Sequence, residues 1–418
     1  MIRFITPLAP RASEIANLNS KVADRLRGTG LFSVLDLEND ANAHNWHHHL
    51  RQPTDDDETL DVVHIGNNHL HHSGCMRYAF GVPSVCVLHD RNLSGLIRGA
   101  HITSPSLYDL IARKVVLRNG PAGFQRFKRA LVDPNVGDEV EAQSWDLFAE
   151  NALALVTHNP TDLPIFRSQA DVPVYHVDLP HFFEASQPYR TEFKRGDTLK
   201  LIMFGFMGSN RRLRPVVEIV RSFAKTYPIE LHIYGQVNLD QADMRFIEEA
   251  CVERSVVMHG FVTDAELEAA LRSSHLAINL RFPTMGEASS SQLRIFEFAL
   301  PSVVTDIGWY GKLPDDVVFK VSQRTEQQDL VTLLERAISD PQLFSAYGAR
   351  GRSYLEKVHR FDLYFDKILR IKGDLTTLRR GWVDRRLVQR VSWRMAGLMD
   401  NEHVRKEVSA RVTAATTE

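Results

Sequence analysis

Few folds accommodate the stretch Ile278–Tyr310, INLRFPTMGEASSSQLRIFEFALPSVVTDIGWY. It opens inside an apolar run, Leu276 to Leu280, that reads as a buried strand. A loop carrying Pro283, Gly286 and Glu287 leads through Ala288 to three serines, Ser289, Ser290 and Ser291. Leu293, Ile295, Phe296, Phe298 and Ala299 then form an apolar helical run that stops at Pro301. Val303 and Val304 begin another strand, closed by Asp306 and Gly308. Strand, serine turn, helix and strand make a βαβ unit whose helix N-terminus faces out at the end of the first strand. The first-turn amides of such a helix have no intrahelical partner and lie at the positive end of its dipole, so the turn suits phosphate.

LRFPTMGEASSS and PSVVTDIGW resemble, in order, the donor-binding core of GT-B glycosyltransferases. The match is to glycosyltransferase family 4, in the form typical of bacterial surface-polysaccharide enzymes. The resemblance extends over about residues 1–370 and is strongest at 276–310. It implies an α/β architecture of two doubly wound Rossmann-like domains facing a central cleft, with C-terminal helices crossing back. A buried βαβ unit with a serine cap would share the outline, but not loop, helix and exit strand together.

At 418 residues the chain is too long for one ordinary core and fits two domains. The expected division is 1–190 for the acceptor, 197–365 for the nucleotide sugar and 366–418 as a helical extension. A net charge of −2 gives no case for nucleic acid, and three cysteines suggest a reducing compartment rather than a disulfide framework. MIRFITPLAP lacks a signal-peptide core and no run approaches a membrane span, so the expected location is cytoplasmic. One segment, Arg379 to Arg394, carries six arginines against Asp384, interleaved with Trp382, Val383, Leu387, Val391, Trp393 and Met395. Two readings stand for 379–395: contact with an anionic membrane surface near a lipid-linked acceptor, or packing of the apolar stripe on the protein.

In the first half, Ile2 to Thr6 reads as a strand and Ile15 to Leu26 as a helix. The intervening loop resembles the family pattern at Pro7, Pro10, Ser13, Ile15 and Ala16, but Glu14 stands where a glycine is usual. A side chain and a negative charge there argue against a phosphate site. Further on, Val62, Val63 and Ile65 form a strand delivering Asn67 and Asn68, and Val85 to Leu88 form one delivering His89 and Asp90. Ligand sites of parallel sheets lie beyond such carboxyl ends. By resemblance His89 faces the reacting sugar, with Asn67, Asn68 and Asp90 near the acceptor; a structural hydrogen bond is the plainer reading of His89. Ten of the 18 histidines fall between His44 and His101, among them His47, His48, His49, His69, His71 and His72. No cysteine pair or HExxH spacing accompanies them, and no metal site is expected.

In the second half, Leu199 to Phe204 reads as a strand before GFMGSNRRLRP. Gly205, Gly208, Arg211 and Arg212 fit the family's glycine-rich, basic loop near the donor diphosphate, although Phe206 replaces a frequent arginine. Guanidinium groups pair bidentately with phosphate and stay charged. The backbone of Gly260, Phe261 and Val262 is expected beside the nucleobase. Of the family's two glutamates, Glu287 matches the first, while Arg294 stands at the second. Arginine cannot accept from ribose hydroxyls but can reach a phosphate. Glu297, one turn on, reads as a packing or surface group.

The resemblance implies retaining transfer of a sugar, with mannose from GDP-mannose as first choice because many relatives use it, to a surface glycan or lipid-linked acceptor. No cofactor is expected. Glu287 would hold donor-sugar hydroxyls, His89 would position a hydroxyl, and the leaving phosphate would take the acceptor proton. A GT-B nucleotide-sugar epimerase and a catalytically silent sugar- or partner-binding protein are the alternatives.

Overall fold

The computed structural model describes residues 1–11, 13–38, 58–103, 105–132, 144–183 and 191–399. Six parallel strands form the first sheet: β1 Ile2–Ile5, β2 Phe32–Leu35, β3 Leu60–Ile65, β4 Ser84–Leu88, β5 Ala152–Thr157 and β6 Val174–His176, in the order β2-β1-β3-β4-β5-β6. A second parallel sheet holds β7 Leu199–Phe204, β8 Ile229–Tyr234, β9 Val256–Gly260, β10 Leu276–Asn279, β11 Ser302–Thr305 and β12 Phe319–Val321, in the order β12-β11-β10-β7-β8-β9. Both are doubly wound, as the sequence implies. Helices on both faces explain why β4 and β5 are buried at every residue and read as unbroken apolar runs. The edge strands β2 and β12 escape sequence reading because they are short, and β2 is half-buried along its length.

Strand order reverses between β1 and β3 in one sheet and between β7 and β10 in the other. Crevices for ligands open at such points, beyond the carboxyl ends of the strands. The loops after β3, β7 and β10 are the ones singled out above. The helix Asp264–Ser273 is started by a full capping box between Thr263 and Glu266. The long helical segment Pro105–Val132 breaks at Gly120, whose φ is 67°, just before Pro121.

The helices Phe361–Gly373 and Leu375–Met399 return to the first sheet. Tyr364, Phe365, Ile368, Ile371, Leu375 and Leu378 join the core made by β1, β3 and β4. The expected boundary at 365 therefore falls inside one helix. The basic segment packs on the protein: Trp382 Nε1 donates to Asn151 Oδ1 at 3.3 Å, Arg385 donates to the Ala152 carbonyl at 2.9 Å, and Arg386 pairs with Glu150 at 3.3 Å. Val383, Leu387 and Val388 stay exposed. The side chains of Val391, Trp393 and Met395, and residues 400–418, lie outside the described ones, as do His44, His47, His48 and His49. Among the described residues no helix is long and apolar enough to cross a membrane. The halves also meet where Leu18 and Leu179 pack with Leu293, Trp309 and Tyr310.

Candidate active site

The end of β3 is tied to the end of β4. Asn67 N donates to Asp90 Oδ2 at 2.9 Å, and Asn67 Oδ1 accepts from Leu96 N at 3.0 Å. Asn68 Oδ1 accepts from Leu70 N at 3.0 Å and so caps the helix His69–Gly81. Both asparagines thus have structural work beside any acceptor role. His89 is 8% exposed, with Nε2 2.9 Å from His64 Nδ1 and its ring 4.9 Å from that of His158. Burial first, then the neighbouring His158, His64 and His72, hold His89 well below the ordinary imidazole range, so it is neutral. Burial also lowers His72 and His158 to about 4. Asp90 moves the other way, pushed up to about 7 by burial and then by the charge of Glu287, against the pull of Arg281.

The loop after β10 is seated on the first half. Arg91 N and Asn92 N both donate to the Met285 carbonyl at 2.9 Å, and Asn159 Nδ2 donates to the Gly286 carbonyl at 3.1 Å. Gly286 has φ +86°, and a Cβ there would fall 2.6 Å from the Cβ of Arg91. Only glycine fits this approach without strain. Glu287 Oε2 accepts from Met285 N and Thr284 Oγ1, each at 2.8 Å, while Oε1 lies 3.1 Å from Arg281 Nε. A carboxylate offers about four acceptor sites, so Glu287 is fixed in place with acceptor capacity left on Oε1.

Ser289 Oγ accepts from Gln292 N at 3.1 Å and caps the helix Ser290–Glu297. Gly205, at φ +97°, lies against this first turn: a Cβ there would meet Ser291 Oγ at 3.5 Å. Ala288 is partly buried beside them, and Gly208 precedes a single 3₁₀ turn, Ser209–Arg211. The glycine loop and the serine turn therefore face one crevice. Phe261 is 87% and Phe206 60% exposed, Gly260 has φ +68° and Val262 is half-buried.

The arginines expected to form the basic clamp have partners within the protein. Arg211 is 1% exposed; Nη1 donates to Asn279 Oδ1 and Nη2 to the Phe204 carbonyl, both at 2.8 Å. Asn279 Nδ2 donates on to Gln292 Oε1 at 2.8 Å, and Gln292 Nε2 to Ser302 Oγ at 2.7 Å. This buried relay ties β7, β10, the serine helix and β11 together, and burial draws Arg211 down to about 9. Arg212 pairs with the buried Glu326 at 2.9 Å, and Arg294 with Asp264 at 2.8 Å. Each guanidinium has a partner within the protein, as a buried or half-buried cation requires. Glu297 is buried, not a surface group, and sits 2.8 Å from His181 Nε2. Glu14 does face the serine turn: Ser290 Oγ donates to Glu14 Oε2 at 3.3 Å.

Several solved structures share this fold at low identity. Sucrose-phosphate synthase from Thermosynechococcus elongatus superposes with a TM-score of 0.60 at 10% identity, over 90% of this chain and 99% of that one. Anabaena HepE, solved with UDP-glucose, gives 0.55 at 12%, over 89% and 99%. TarM gives 0.54 at 12%, over 78% of this chain; the chain spans only 57% of TarM's length. A TarM variant from S. aureus, solved with UDP and alpha-GlcNAc-glycerol, gives 0.52. The fold is GT-B. No family model and no curated protein matches the sequence.

Within the GT-B frame, Asp90 and Glu287 lie close enough for their charges to interact, and the serine turn lies against Gly205. Arg281, Arg91, Asn159, Asn279 and Gln292 escaped the sequence reading. Arg281 and Asn279 flank the recognised loop, and an amide or guanidinium directly after a buried strand is the signal that could have found them. Gln292 could have been found as a polar residue on the apolar face of its helix. Among the described residues no group of three or more His, Cys, Asp or Glu is placed to hold a metal ion.

Proposed function

We propose that the chain transfers a sugar from a nucleoside diphosphate sugar to an acceptor lying beyond β3 and β4. One observation carries this reading: the Met285–Gly286 backbone, bonded to Arg91, Asn92 and Asn159, holds the Glu287 loop against the end of β4, close enough for the Glu287 charge to act on Asp90. UDP-glucose on HepE, and UDP with alpha-GlcNAc-glycerol on TarM, support a nucleotide sugar as co-substrate. The first-turn amides of Ser290–Glu297, with the Gly205 backbone, meet the diphosphate and stabilise the charge that develops on it. Glu287 Oε1 accepts a donor-sugar hydroxyl. His89 positions a hydroxyl, and the departing phosphate takes the acceptor proton. Phe261 and Phe206 offer exposed rings to the nucleobase.

From the resemblance we take membership of family 4, retention of configuration, a surface-glycan or lipid-linked acceptor, GDP-mannose as first donor, and catalysis without metal. A lipid-linked acceptor places the reaction at a cytoplasmic membrane face, toward which Val383, Leu387 and Val388 can turn. The test is nucleotide release from GDP-mannose, UDP-glucose and related donors, with chelator, in the presence and absence of acceptor. Release accelerated by acceptor is expected; no release from any donor under any condition overturns the proposal. A silent binding protein is favoured by Glu14 at Ser290 and by the internally paired Arg211, Arg212 and Arg294, and predicts binding without release. An epimerase predicts a new nucleotide sugar without acceptor.

A further inference from the structure

His89 lies in a packed group of imidazoles whose hydrogen bonds determine where their protons sit. His72 Nδ1 lies 3.1 Å from the His64 carbonyl, His158 Nδ1 2.7 Å from the Val177 carbonyl, and His359 Nδ1 2.7 Å from the Leu179 carbonyl. A carbonyl only accepts, so each of these rings carries its proton on Nδ1. Among the described residues the Nε2 atoms of His158 and His359 are buried without a partner, which suits bare lone pairs.

His64 follows the same rule by elimination. Its Nδ1 lies 2.9 Å from His89 Nε2, its own Nε2 is buried without a partner among the described residues, and the Phe4 and His64 ring centroids are 4.6 Å apart. Were the proton on His64 Nε2, a buried N–H would be orphaned, which is rarer and costlier than an unused lone pair. His64 Nδ1–H therefore donates to His89 Nε2. A neutral His89 that accepts at Nε2 must hold its single proton on Nδ1, and among the described residues Nε2 is the His89 ring atom that has a hydrogen bond.

We propose that His64 is a positioning residue that locks His89 as the Nδ1–H tautomer, so that His89 presents a hydrogen-bond donor to an oxygen of the sugar. The proposal rests on the cleft being the sugar site. It assigns a direction to the contact: His89 donates to a hydroxyl or ring oxygen and does not accept a proton there. The burial that keeps both rings neutral supports the same picture.

The test is long-range proton–nitrogen NMR of the full chain labelled with 15N-histidine, His89 being assigned by the signals lost in His89→Gln. At neutral pH His89 should show a protonated, pyrrole-type Nδ1 and a bare, pyridine-type Nε2. His64→Leu should let both nitrogens move toward averaged values. His64→Asn, whose amide can donate from the place of Nδ1, should restore the pattern. If the wild-type protein transfers sugar, kcat should fall at least tenfold in His64→Leu and recover in His64→Asn. A pyridine-type Nδ1 in the wild type, or a His89 pattern unchanged in His64→Leu, overturns the proposal. The NMR result does not depend on turnover, so an inactive wild type would overturn the sugar-transfer reading and leave the tautomer assignment to the spectra.

Discussion

Removing the Glu287 carboxylate leaves Arg281 without this ion-pair partner, and Thr284 Oγ1 and the Met285 amide without their acceptor. It also takes away the acceptor capacity assigned to the donor sugar, whereas the serine turn behind it is untouched. Glu287→Ala should therefore cut turnover at least a hundredfold, about 2.7 kcal/mol of barrier, while nucleoside diphosphate affinity changes by less than about threefold. Paired kinetics and calorimetry check this, and intact turnover would remove Glu287 from the donor sugar. At this scale the sequence was informative about identity and poor about partners. His89, Asp90 and Glu287 sit at strand ends that hydropathy can place. The internal pairings of Arg211, Arg212 and Arg294 were not legible because their partners Asn279, Glu326 and Asp264 are 30 to 114 residues away in the chain. Periodicity carries no information about such pairings.

The loop between β10 and the serine helix couples the halves through backbone, so its geometry matters more than its side chains. Gly286→Ala forces a Cβ into left-handed backbone, at roughly 1–2 kcal/mol, and against Arg91 Cβ. The Met285 carbonyl should then leave the Arg91 and Asn92 amides. Transfer activity should fall at least tenfold while the melting temperature drops only a few degrees, read by initial rates beside calorimetry; unchanged rates would contradict the docking role. Elements were the most legible level. β7 spans Leu199–Phe204 as its apolar run indicates, and the β10–helix–β11 unit matches its sequence pattern. Two kinds of feature stayed hidden. Edge strands such as β12 are too short to show alternation, and the basic helix 375–399 uses arginines to reach Ala152 and Glu150, which composition alone reads equally well as a membrane face.

Across the whole molecule, the buried imidazoles tie stability to pH. His64, His72, His89 and His158 are held neutral in the native state, but protonate near 6.5 once unfolded. Between about pH 6.5 and 4 the unfolded chain binds more protons at these sites, so their contribution is full above that window and is lost as pH falls. Asp90 and Asp162, raised by burial to about 7 and about 6, act oppositely: the native state keeps protons that the unfolded chain releases, and their contribution fades as pH rises through the same range. Four imidazoles outweigh two carboxyls, at about 1.4 kcal/mol for each unit of difference. The urea midpoint should be clearly lower at pH 5 than at pH 7, and an equal or higher midpoint at pH 5 would contradict this balance.

The central claim is that a nucleoside diphosphate binds at the serine turn in the GT-B cleft. Its most direct test is a thermal-shift panel of GDP, UDP, dTDP, ADP and CMP, run with chelator and again with magnesium. Ligand at about a hundred times its dissociation constant adds about 2.7 kcal/mol to the native state. One diphosphate should therefore raise the melting temperature by several degrees with chelator present. No shift from any diphosphate, with chelator or with magnesium, would contradict the claim.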